Sequence, residues 1–303
     1  MAGAIATGNH PKALWPGVKA WWGVGYGEHP EEYRDLFETA TSGQAWEEDV
    51  MTSGFPLAPV KREGSPVSYA SHAQVYTSRY THVAYSLGFI VTFEERLNNL
   101  YQKVANSRSK SLGFSMRQTK ENVGANVYNR AFNATYTGGD GQVLVCSTHP
   151  SGVGSQSNIL SPAADISEIA LEDLIIQIMG ATDHNGLKIA LMAKSLHVPR
   201  QLWFEANRIL KSTLQVHTGD NTVNVLKMTG ELPGGIKVNH FFTDTDAFFM
   251  KTNCPDGMKH YQRHKIDLEQ DNDFDTKNAK ASSYDYYSFG WSDWRGVFGS
   301  AGA

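Results

Sequence analysis

Between Val83 and Val91 the chain alternates. Val83, Tyr85, Leu87, Phe89 and Val91 fall on one face of an extended segment, and His82, Ala84, Ser86, Gly88 and Ile90 on the other. A period of two is the signature of a strand. Upstream, Gly64-Ser65-Pro66 punctuates the chain, and a mixed polar and aromatic run from Val67 leads into the alternating stretch. Residues 64–91 therefore read as a long β-hairpin. At Thr92 the period changes. Thr92-x-x-Glu95 is a capping box, and no proline follows until Pro150. The pattern predicts one helix from Phe93 to about Phe132, roughly 40 residues or about 60 Å long. That is several times the length of an ordinary globular helix. A hairpin with so thin an apolar face cannot bury itself on its own chain. It is expected to lie on a neighbouring copy.

The segment before the hairpin shows little periodicity. It carries Trp15, Trp21, Trp22 and Trp46 among several prolines, with one short helix expected from Pro30 to about Glu38. Exposed tryptophan is costly, so this arm should press on its own core or on other subunits. After the long helix comes a glycine-rich turn at 137–141 and a short expected strand, Gln142 to Cys146. Asp165-x-x-Glu168 is a second capping box. It opens an amphipathic helix through Ile166, Leu171, Leu174, Ile175 and Ile178, ending near Met179. A buried strand is expected from Leu187 to Val198, and Pro199 opens a helix with Leu202, Trp203, Ala206, Ile209 and Leu210 inside. Expected strands follow at 222–228, 236–242, 247–252, 258–266 and 284–291. Helices among antiparallel strands make the class α+β.

Composition narrows the function. The 303 residues are 41% hydrophobic and 19% charged, with a formal net charge of −4. That allows a sizeable core and gives no overall basic footprint for nucleic acid. The start of the chain has no basic and apolar signal segment, and no apolar run reaches the roughly 20 residues that span a bilayer. Two cysteines, Cys146 and Cys254, cannot form a disulfide framework and read as free thiols.

Little of the sequence reads as chemistry. Gly23, Gly25 and Gly27 do not match a dinucleotide loop, and no phosphate-binding loop occurs. Cys146 and His149 lie close together, but no nucleophile motif surrounds them, so the cysteine reads as structural. His260 and His264 share one face of a strand without the glutamate of a zinc motif, and read as solvated or interface histidines. The acidic run Glu269 to Asp275 lacks the glycine and closing glutamate of a calcium loop and reads as a solvated turn. Asp244 and Asp246 read as a turn. No catalytic, cofactor or metal residue is assigned. One pattern stands out: Arg96, Lys103, Lys110 and Arg117 recur every seven residues along one stripe of the long helix. The stripe is either a solvated face or a contact with an acidic neighbour or a phosphate backbone.

Several phrases carry a family likeness. Arg62-Glu63-Gly64-Ser65-Pro66-Val67-Ser68-Tyr69, then Tyr85-Ser86-Leu87-Gly88-Phe89-Ile90-Val91-Thr92-Phe93-Glu94, then Ala125-Asn126-Val127-Tyr128-Asn129-Arg130-Ala131-Phe132 resemble the major capsid proteins of tailed bacteriophages. So do Leu196-x-Val198-Pro199 with Leu202 and Ala206, Thr243 to Phe249, Arg263, and Asp293 to Ser300. The likeness spans about residues 50 to 300. It implies a Hong Kong 97-type fold with an N-terminal arm (1–63), an extended loop (64–91) and a peripheral domain (92–160) whose spine helix is 92–132. It further implies an axial domain (161–242) and closing strands (243–303) that finish the peripheral domain and return to the axial one.

The resemblance implies a structural subunit and no enzyme. Pentamers and hexamers of itself would close into an icosahedral head around double-stranded DNA, which they touch weakly. Assembly would take place in the host bacterial cytoplasm, with a portal protein, a decoration protein and a separate scaffolding protein as partners, and no membrane. Trp15, Trp21 and Trp22 are expected between subunits, and Arg96, Lys103, Lys110 and Arg117 between subunits or facing DNA. No lysine falls within 64–91, which speaks against a covalent crosslink from the loop. The rivals are the shell protein of a bacterial nanocompartment with the same fold, and a metal-dependent enzyme using His260 and His264.

Overall fold

The computed structural model describes residues 15–98, 101–215 and 222–302, and gives the backbone alone at 15–16, 96–97 and 101–104. Helix α1 (Trp15–Gly27) opens it. Its glycines and tryptophans hide a helical stripe, Val18, Trp22 and Gly25, which faces the rest of the chain. A short helix α2 (Tyr33–Leu36) and two strands, β1 (Glu38–Thr41) and β2 (Trp46–Thr52), follow. Then come β3 (Gln74–Thr81) and β4 (Val83–Val91).

The expected hairpin of 64–91 is not formed. β3 and β4 are adjacent in sequence, but each pairs elsewhere. β3 is antiparallel to β2, from Trp46 opposite Thr81 to Thr52 opposite Gln74. β4 is antiparallel to β9 (Ala279–Trp291) along its whole length. The cause lies in how β2 is oriented. Trp46, Glu48, Val50 and Thr52 are exposed, while Glu47, Asp49 and Met51 turn inward. The polar Asp49 is the one that binds the body, accepting from Lys259 Nζ at 2.7 Å and from the Tyr261 and Ser292 hydroxyls. An inward polar row defeats a pattern search built on apolar alternation.

The long helix begins where expected. Glu95 N donates to Thr92 Oγ1 at 3.2 Å and Thr92 N to Glu95 Oε2 at 3.3 Å, so the capping box closes in both directions. It runs as α3 (Phe93–Leu97), a turn at Asn98 and α4 (Tyr101–Asn129), ending three residues before Phe132. Leu112 and Met116 of α4 pack against Val91, Ala279 and Ala281, on the sheet ordered β1, β8 (Met258–Asn272), β9, β4.

A second sheet has the order β10 (Val297–Ser300), β7 (Phe248–Thr252), β5 (Ala193–Pro199) and β6 (Ile236–Asn239). Helices α5 (Glu168–Met179), α6 (Trp203–Lys211) and α7 (Val225–Thr229) belong to this half. Leu171, Leu174, Leu196, Val198, Phe248 and Met250 form its core, each fully buried and stabilising by roughly 1.5–3 kcal/mol. Three local expectations are corrected. Ser167, not Asp165, caps α5, accepting from Ala170 N. Residues 142–146 form no strand: Val145 N donates to Ala131 O and Cys146 N to Asn158 Oδ1, so these backbone donors are spent outside any ladder. The strand expected at 222–228 is α7, capped by Asn224 and closed by Gly230 at φ 69°.

Candidate assembly surface

Two parts of the molecule carry the residues singled out above: the seam between α1 and α4, and the ribbon of β2 and β3. At the seam the backbones nearly touch. A Cβ on Gly25 would stand 2.1 Å from Lys110 O, and one on Gly113 would stand 2.4 Å from Trp22 O. Only glycine allows this approach. Trp22 is buried there and stacks on Tyr26 at 5.6 Å, while Ser109 Oγ donates to Val18 O. Trp22 is therefore buried within its own chain, against the expectation of an inter-subunit position. Trp21 points outward at 46% exposure. The Trp15 side chain lies outside the described residues.

The cationic stripe is corrected in the same place. The Arg117 side chain is only 5% exposed. It pairs with Glu31 at 2.6 Å, donates through Nε to Tyr26 O at 3.0 Å and lies over the Tyr26 ring. Lys110 pairs with Glu28 at 2.8 Å. Both cations hold the segment after α1 onto α4, Arg117 from a buried position and Lys110 from a partly exposed one. The side chains of Arg96 and Lys103 lie outside the described residues. Glu121 completes the clamp from α4: its two oxygens accept from Glu32 N at 3.2 Å and Tyr33 N at 2.9 Å. Burial raises the Glu121 carboxyl to about 7 in spite of those bonds.

The base of the ribbon is equally tied down. Tyr80 is buried and its hydroxyl meets Ser292 Oγ; Arg79 lies over the Trp46 ring at 4.2 Å. His82 bridges Ser42 and Ser288 at 3.0 and 2.9 Å. The paired strands close at Ser53 and Ala73, and Asn185 Nδ2 holds Ser53 O at 2.6 Å. Beyond that point no residue up to 74 is buried by the other described residues. Residues 55–74 are all exposed, Val60 at 94% and Tyr69 at 92%, together with Phe55, Leu57 and Val67. Apolar side chains this open, grouped on one loop, make this segment the candidate contact surface.

The other candidate residues are structural. His260 is buried among Tyr33, Tyr287 and Phe289, and burial pushes it down to about 3, so it stays neutral. It is neither solvated nor paired with His264, which is exposed beyond a bulge in β8. Asp273 accepts from Asp275 N, Thr276 N and Lys280 Nζ, and so shapes the turn between β8 and β9. Asp246 N donates to Asp244 Oδ1, closing a turn. Among the described residues no group of three or more His, Cys, Asp or Glu is placed to hold a metal, and no helix is long and apolar enough to cross a membrane. The sequence missed two buried networks. Lys120 pairs with Asp285 at 3.3 Å, and Gln262 Nε2 donates to Asp285 Oδ1 at 2.6 Å. Asp140 pairs with His149 at 2.6 Å. The first had a visible cue, since Lys120 lies on the helix face that otherwise packs the sheet.

Comparison with known proteins gives this geometry its context. A family model described as phage capsid protein matches residues 75–300. No curated protein matches the sequence. Among solved structures the fold is similar to a virus-like particle from Pyrococcus furiosus, at 11% identity and a TM-score of 0.57 over 94% of this chain and 98% of that one. It is similar to a chain of Mycobacterium phage Che8, at 14% identity and a TM-score of 0.51 over 89% and 90%. It is also similar to the capsid of Myoviridae phage XM1, at 10% identity and a TM-score of 0.52 over 88% and 90%. At such identities the structures speak for the fold, and the family model, which spans most of the chain, speaks for kinship. The chain belongs to the phage capsid protein family and has the Hong Kong 97-type fold.

Proposed function

We propose that this chain is the major shell subunit of an icosahedral phage head, arranged as pentamers and hexamers around double-stranded DNA. The observation that carries the proposal is the ribbon tip. It displays Phe55, Leu57, Val60, Val67 and Tyr69 to water on a monomer of a family that works by self-assembly. Roughly 25 cal/mol is gained per Å² of apolar surface covered, and each subunit in a closed shell both covers and is covered. The extended loop is then β2 and β3 with residues 53–73 between them. The spine is α3 with α4, the peripheral domain is the sheet beneath it, and the axial domain is the second sheet with α5 to α7.

The subunit acts as a building block and not as a catalyst, in keeping with its membership of a phage capsid protein family. DNA contact is weak, in keeping with a net charge of −4. A scaffolding protein, a portal and a decoration protein are the expected partners, and assembly takes place in the host cytoplasm. The fold alone would suit any closed shell, the Pyrococcus furiosus particle included, and the family match favours the phage head. The test is electron microscopy of the full chain expressed with and without its scaffolding protein. Closed shells of uniform size are expected. Monomers or irregular aggregates under both conditions would contradict the proposal.

A further inference from the structure

We propose that the free edge of β4 is a self-pairing site, where β4 of a second copy adds antiparallel about a two-fold axis through Ser86. The inference rests on the reading of the chain as a shell subunit. It starts from the ladder. β4 ends its sheet and pairs with β9 from Val83 opposite Tyr287 to Val91 opposite Ala279, without a register shift. Arg108 Nη1 donates to Ile90 O at 3.0 Å, so that carbonyl points away from β9. In an antiparallel pair alternate residues turn the same way, so the backbone groups of Ala84, Ser86 and Gly88 face outward too. Among the described residues no other strand pairs with them.

An open edge is a template for another strand, and folded proteins usually blunt it with charge, proline, a bulge or shortness. The other edges of the two large sheets, β1, β6 and β10, are four residues each. In the ribbon, β2 carries Glu47, Glu48 and Asp49 and shifts register at Met51. β4 runs for nine residues with no charge, no proline and no bulge.

The side chains name the partner. With Ser86 opposite Ser86 of the partner subunit, Ala84 stands opposite Gly88, and each such pair exchanges two backbone bonds. These three residues share one face and are small, so nothing on that face obstructs the approach. On the other face Tyr85 meets Leu87 and Val83 meets Phe89, cross-strand pairs of the aromatic and aliphatic kind that stabilise sheets. Val83 is 49% exposed and Leu87 48% in the single chain, and the pairing covers both. The edge is thus its own complement, which an isologous contact requires, and an icosahedral shell supplies the two-fold axes. Pro56, Pro59 and Pro66 keep most of the ribbon tip from serving as the added strand.

The test is a cysteine placed on the axis. Ser86→Cys is a small change at an exposed position, and the pairing sets the two thiols opposite each other, within the range of a disulfide. Closed shells of that variant, oxidised with copper phenanthroline, should run mostly as covalent dimers on a non-reducing gel. Ala84→Cys faces Gly88 and lies roughly 14 Å along the strand from its own copy, so it should stay monomeric. The wild type, with Cys146 and Cys254, gives the background. Ser86→Lys sets like charges opposite each other and should abolish closed shells, while the dispersed subunit melts like the wild type. Shells of Ser86→Cys without dimers, or as much dimer from Ala84→Cys, would overturn the pairing and leave the edge to another strand, the ribbon tip included. Normal shells from Ser86→Lys would overturn it as well. A wild type that forms no closed shells would overturn the shell reading and this inference with it.

Discussion

Helix α1 and the tip of the ribbon start from the same difficulty and solve it in opposite ways. Each carries more large apolar side chains than water tolerates. α1 finds its partner within the chain, because Gly25 and Gly113 let two backbones meet and because Glu28 and Glu31 lie opposite Lys110 and Arg117. Among the described residues the tip has no such partner. Its paired strands end at Ser53 and Ala73, and residues 55–74 beyond are left exposed by the rest of the described residues. Apolar content alone therefore does not mark an interface. What marks it is apolar content without a matching surface inside the fold.

The largest effect should come from removing the tip. Replacing residues 55–72 by a short Gly-Ser link deletes no buried side chain, so the melting temperature should stay within about 2 °C. Closed shells should disappear. Sedimentation and thermal melts of the same preparation read both quantities, and normal shells from the deletion would break the comparison. A deletion extended to residue 82 would remove Tyr80 and His82, both buried, and would confound assembly with folding.

The seam should respond in the opposite sense. Gly113→Leu drives a side chain into the Trp22 carbonyl and should cost about 1–3 kcal/mol in urea unfolding of the dispersed subunit. Arg117→Met leaves the Glu31 carboxylate half-buried without its main partner and should cost about 1.5–3 kcal/mol. Lys110→Met, at a partly exposed pair, should cost under about 0.5 kcal/mol. Equal effects from the two cations would mean that Arg117 is as exposed as a stripe facing outward requires.

A pH series sharpens the same seam. Glu121 is raised to about 7 when folded, against about 4.3 for a free carboxyl. The fold therefore favours the protonated acid. The stabilisation from this group is fully present below about pH 4.3 and is lost as pH rises through about 7. Arg117 lowers that value and Glu32 raises it, so both belong to the titration. Melting temperatures of the wild type should fall from pH 5 to 8 relative to Glu121→Gln. Parallel curves would remove Glu121 from the clamp.

The sequence was readable where one local rule decides the outcome. Thr92 and Glu95 close their capping box, and β4 is the strand the alternation predicts, with Tyr85, Phe89 and Val91 packed in the cluster with α4 while Val83 and Leu87 of the same face stay exposed. It was unreadable where a distant partner decides. β2 turns Asp49 inward because Lys259, Tyr261 and Ser292 wait there, and nothing near Asp49 announces them. α1 hides behind its own glycines, whose purpose appears only once α4 lies across them. The strand expected at 222–228 passed over Asn224 and Gly230, which cap the two ends of α7. The expected place of Trp22 failed for the same reason as the hairpin: the chain held a partner that its linear pattern did not name.

Hydrogen exchange compared between dispersed subunits and closed shells tests the central claim most directly. Residues 55–74 should exchange freely in the subunit and become protected in the shell, while α1 should be protected in both states. A tip that exchanges equally fast in both states, with α1 gaining protection only on assembly, would contradict the account.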